Sequence, residues 1–148
     1  MLEAMPMNNS MTNNDFKNKF DDLLKPIGFR KKGNYWRFET DELEKIVHLQ
    51  KSNFSNLYYL NYGFNLKGLN YDGVLIHIGN RLHQSEAFDL ENSIGAKDRE
   101  KLLEAIISKD LIPTLQRVNK ETDILTFVKG RPTTNDIPIK VKEYLKIG

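Results

Sequence analysis

The chain predicts an α+β fold: a four-stranded antiparallel sheet after an N-terminal helix, with C-terminal helices packed on one face. Three observations carry this expectation. The stretch YYLNYGFNLKG, residues 58–68, alternates apolar and polar side chains with a period of two, the pattern of a half-buried strand. The apolar stretches around it are joined by short polar connections, and short connections favour antiparallel pairing over crossovers. After a polar link at 84–97, the apolar period lengthens to three and four residues. Segregated strands and helices of this kind define the class.

Each element follows in order. Thr12 to Asp15 reads Thr-x-x-acid, a capping-box start, and Phe16, Phe20, Leu23, Leu24 and Ile27 fall on one helical face. Pro26 and Gly28 stop that helix. The segment GFRKKGN reads as a basic loop. Strands are expected over 35–39, 43–51, 57–67 and 74–81. Leu102, Leu103, Ile106 and Ile107 mark one helix. Leu111, Leu115 and Val118 mark a second, with Asp110 as its N-cap so that Pro113 falls in the first turn. Thr122 caps a short third helix closed by Gly130, and Pro138 opens a last one through Val141, Tyr144 and Leu145.

The bulk numbers suit one domain. The chain has 148 residues, 39% apolar and 28% charged, enough for a packed core and against wholesale disorder. Residues 1–11 read as a disordered polar lead and 12–148 as a single domain, with Met11 or Thr12 opening the folded part. The lead has no basic region followed by an apolar core, so it does not read as a secretory signal. No apolar run reaches the ~18–20 residues of a membrane span. There is no cysteine, which excludes disulfides, thiolate metal sites and a cysteine nucleophile, and fits a cytoplasmic protein.

The alternation also assigns faces. Trp36, Phe38, Val47, Leu49, Tyr62, Phe64, Val74, Ile76 and Ile78 belong inside. Arg37, His48, Gln50, Tyr59, Asn61, Asn65 and His77 belong outside with Tyr35 and Arg81, and the same reading leaves Ile46 outside. This outer set is rich in amides, imidazoles, phenols and guanidinium groups, which bond directionally and are enriched at protein interfaces. The plainer alternative is a solvated face with cross-strand pairs.

Catalytic chemistry finds little support. There is no nucleophile elbow, phosphate-binding loop or fixed metal-ligand spacing, and the three histidines (His48, His77, His83) are not spaced as a zinc site. No cofactor is expected. His48 and His77 on one face leave open a small-ligand or acid–base role. The cluster Arg30, Lys31 and Lys32, with Arg37 and nearby aromatics, leaves open a single-stranded nucleic-acid module. A net charge of only +2 weakens that alternative.

Taken together, FKNKFDDLLKPIGFRKKGNYWRF, VHLQKSNFSNLYYLNYGFNL and HIGNRL resemble the domain of unknown function 4304 family of small, mostly bacterial proteins. The resemblance runs over residues 16–113. It implies an α+β fold and brings no established activity and no catalytic residues. Small α+β proteins of this kind serve in bacteria as immunity proteins that block toxins. The expectation is therefore a non-enzymatic protein that binds a protein partner.

Overall fold

The computed structural model describes residues 10–148. The disordered lead expected over 1–11 lies outside the described residues as far as residue 9. Met11 is itself buried, only 7% exposed, and packs into the core.

The first helix, α1 (Asn13–Leu24), opens with the capping box expected from its sequence. The Asp15 N–H donates to Thr12 Oγ1 at 3.0 Å, and the Thr12 N–H donates to the Asp15 carboxylate at 3.3 Å. Phe16, Phe20 and Leu24 bury its inner face. A short 3-10 turn at Lys25–Ile27 ends at Gly28, whose φ of +100° only glycine adopts cheaply.

Five strands follow, not four: β1 (Arg30–Lys32), β2 (Tyr35–Glu39), β3 (Leu43–Lys51), β4 (Tyr58–Leu66) and β5 (Ile78–Arg81). They form one antiparallel meander in chain order. The added strand is the expected basic loop. Its three exposed side chains carry no apolar alternation, so its sequence gives no strand signal, yet Gly33 turns it back onto β2. The last strand is also shorter than expected. Residues 74–77 do not pair; Val74 and Leu75 are exposed, and Ile76 is only partly buried.

The helices all lie against one face. Phe16 of α1 stacks on Tyr58, and Phe20 approaches Trp36, whose indole N–H donates to Asp21. Phe127 of α4 (Glu121–Lys129) meets Phe64 and Tyr62 edge-on. The inner face also holds Lys45, 3% exposed, whose ammonium donates to the Leu115 carbonyl and to Asn119 Oδ1 at 2.5 and 2.7 Å. Burial pushes its pKa down, against a smaller upward pull from Asp123.

Two helices were expected between 102 and 118. The structure instead continues α2 (Ala96–Ile106) through a π-helical turn at Ile107–Leu111 into α3 (Ile112–Arg117). Asp110 therefore caps nothing. Pro113 has no N–H for the carbonyl four residues back, and the widened turn immediately before it absorbs that loss. Nor does Thr122 cap α4. The Asp123 carboxylate does so, accepting from the N–H groups of Asn119 and Lys120. The chain ends in α5 (Ile139–Leu145), opened by Pro138 as expected.

Candidate functional site

The helix-free face of the sheet is built by register. Tyr35, His48, Asn61 and Arg81 are direct partners across four strands, so they form one row. Gln50 and Tyr59 pair in the row nearer the β3–β4 hairpin. Arg30 pairs with Arg37, which pairs with Ile46, then Gly63, then Gly79. Glu39, Glu44 and Asn65 make the row at the far end.

The side chains of this face bind each other. Arg81 donates to Asn61 Oδ1 at 3.0 Å and to Gln50 Oε1 at 2.8 Å, and its guanidinium lies 4.4 Å from the centre of the Tyr59 ring. The Asn61 amide donates to Gln50 Oε1 at 3.0 Å and reaches His48 Nδ1 at 3.5 Å. His48 stacks flat on Tyr35, 4.4 Å between ring centres. Arg37 pairs with Glu44, which also accepts from Asn65. The result is a self-bonded polar network in which His48 and Asn61 are half-buried and Gln50 and Arg81 are exposed.

The centre of the face is capped. Ile76 folds back so that its Cγ2 lies 2.5 Å from where a Cβ on Gly63 would stand, and 3.0 Å from that of Gly79. A side chain at Gly63 would collide with it. Ile46, read from the sequence as an outward residue, lies opposite Gly63 and is fully buried.

His77 does not belong to this surface. It is 5% exposed and precedes the first residue of β5. Its Nδ1 accepts from the Leu66 N–H at 3.0 Å, and its Nε2 lies 2.6 Å from the Tyr71 carbonyl. A carbonyl only accepts, so Nε2 carries the proton. With both ring nitrogens bound to backbone, His77 ties the 67–77 loop to the end of β4. The expected pair of cooperating histidines on one face is not formed.

The basic cluster divides by strand alternation. Arg30 and Lys32 sit in rows with Arg37 and Tyr35 on the helix-free side, while Lys31 pairs with inward-facing Trp36, its ammonium 5.9 Å from the indole. Sequence reading missed one further feature. Phe54, in the hairpin between β3 and β4, is 97% exposed at the end of the sheet where Gln50 and Tyr59 lie. The aromatic set between two polar neighbours in SNFSN is its only signal.

Burial, and secondarily the nearby Arg81, lower the pKa of His48 below its ordinary value. Between the folded and unfolded values the unfolded chain binds the extra proton, so this contribution to stability is present above about pH 6.5 and lost as pH falls through the folded value. NMR titration of the imidazole is expected to give a midpoint below 6.5, moving upward in Arg81→Gln. A midpoint at or above 6.5 would contradict this packing.

An antiparallel sheet with helices on one face and an ordered polar network on the other defines a small α+β domain with a helix-free, polar sheet face. Over residues 20–117 the chain matches the family described as Domain of unknown function (DUF4304), and it belongs to that family. No curated protein and no solved structure matches it. Among the described residues no helix is long and apolar enough to cross a membrane.

Proposed function

We propose that this protein is a cytoplasmic binding module that docks another protein on the helix-free face of its sheet, as an immunity protein docks a toxin domain. The observation that carries the reading is the pre-bonded network Arg81–Gln50–Asn61–His48, flanked by Tyr35, Tyr59 and Arg37. Side chains already held by their neighbours lose little freedom on binding, and arginine and tyrosine dominate the energetics of protein interfaces. Phe54 adds an exposed apolar side chain at the end of the sheet where Gln50 and Tyr59 lie.

A single-stranded nucleic acid is the second reading, favoured by the placement of Arg30 and Lys32 on this same side with Arg37 and Arg81. Base stacking needs free aromatic faces. Here Tyr59 is covered by Arg81, and Tyr35 by His48, which supports the protein partner instead.

Capture from native lysate with and without nuclease separates the two readings. A stoichiometric protein that survives nuclease supports docking, and loss on nuclease treatment supports nucleic acid. The double variant Tyr59→Ala, Asn61→Ala is expected to keep the fold and weaken that partner by about 2 kcal/mol or more, roughly thirtyfold. Undiminished binding would remove this face from the interaction.

A further inference from the structure

We propose that a second site, on the helix side of the sheet, binds a small monocarboxylate with an apolar body. A cavity of about 430 Å³ opens between β4, β5 and the helices α3 and α4. It lies on the opposite face from the network above and is independent of the protein-docking reading.

Two of its wall residues are more than nine-tenths buried yet keep a polar atom unpaired. Tyr62 is 7% exposed and Thr114 is 9% exposed, and neither hydroxyl has a hydrogen-bond partner among the described residues. Neither hydroxyl is sealed in the core, since among the described residues the one fully buried unpartnered side-chain atom is Arg99 Nε. Both are therefore open to the cavity. A hydroxyl that faces a cavity without a protein partner bonds to water or to a ligand.

The charge of the wall selects the ligand. Arg117, on the rim, makes no ion pair among the described residues. Arg131 is fixed by Asn80 Oδ1 and Asp136, with only 7% of its side chain exposed. The one carboxylate on the wall, Asp123, is already used by two backbone N–H groups at the start of α4. The cavity therefore offers a free guanidinium and two hydroxyl donors to an anion. Phe127 and Val118 supply an apolar wall for the rest of the molecule. Guanidinium and hydroxyl donors together match a carboxylate, while the size and the aromatic wall suit a compact apolar body.

The test uses the full chain, labelled with ¹⁵N and titrated with benzoate and hexanoate, with benzylamine as the cationic counterpart. At least one carboxylate is expected to give saturable shifts of the Asn80, Thr114 and Thr126 amide signals in the millimolar range, while benzylamine gives none. Arg117→Gln changes an exposed side chain and is expected to weaken that carboxylate about tenfold with an unchanged thermal midpoint. Tyr62→Phe is expected to weaken it several-fold. Shifts that fail to saturate for both carboxylates, equal responses to benzoate and benzylamine, or full affinity in Arg117→Gln would each overturn the proposal. Because Arg117 is remote from the docking face, capture of a protein partner by Arg117→Gln is expected to be unchanged whichever way the titration falls.

Discussion

Phe64→Ala is expected to lose about 3–5 kcal/mol of folding stability, read as a lowered urea midpoint with the slope of the transition preserved. The ring is fully buried towards the C-terminal end of β4. It pairs with Lys45 on one side and Ile78 on the other, and Phe127 meets it edge-on with ring centres 5.2 Å apart. Truncation removes transfer energy and leaves a cavity between two layers that cannot both collapse into it. The neighbouring lysine makes the loss worse. Lys45 is buried beside this ring, and its two acceptors come from Leu115 and Asn119, so loosening the sheet–helix contact exposes a desolvated cation as well as apolar surface. A midpoint within a few tenths of a molar of the parent protein would show that the helices do not press on the sheet here.

Arg99→Leu is expected to cost a similar amount, about 3–5 kcal/mol, by a different route. Arg99 is 1% exposed and serves as the hub of the 86–94 segment. Its guanidinium donates to the carbonyls of Glu86, Ala87, Asp89 and Ile94 and to Asn92 Oδ1. Burial lowers its pKa, offset in part by Asp89, yet no carboxylate bonds it directly among the described residues. Leucine fills part of the volume but donates nothing. Two or three carbonyls left dry at roughly 1–3 kcal/mol each account for the loss. Hydrogen exchange over residues 86–95 is expected to quicken more than in β3 and β4. Arg99→Lys is expected to fall between, because one ammonium cannot reach five acceptors in a plane. Parental stability in Arg99→Leu would mean that water replaces the guanidinium without cost.

These two residues also show what the sequence discloses. Phe64 is legible because β4 alternates without interruption and pairs along its whole length with β3. The same alternation places Tyr35, Arg37, His48, Gln50, Tyr59, Asn61 and Asn65 on one side. Arg99 is harder to see. With Leu103, Ile107 and Leu111 it forms an inward stripe at four-residue spacing, and an arginine in such a stripe reads as solvent-facing. Lys45 is hidden for the same reason within β3. Residues 74–77 mislead in the opposite sense. Their apolar run looks like a strand, but Gly63 and Gly79 leave a trough into which Ile76 folds, and His77 is then drawn inward to two backbone groups. Periodicity reports which side of a sheet a residue takes. It does not report which loop crosses that sheet.

The strand that the sequence concealed has a consequence for how copies of the molecule meet. One of the two edges of the sheet is β1, and every side chain on it is cationic. Neighbouring strands lie about 4.8 Å apart, so pairing of this edge with the same edge of a second copy would set three positive charges against three. Such an edge resists pairing with itself electrostatically. Replacing Arg30, Lys31 and Lys32 with threonine and valine would turn it into a sticky template, and the first symptom would be turbidity that worsens with protein concentration.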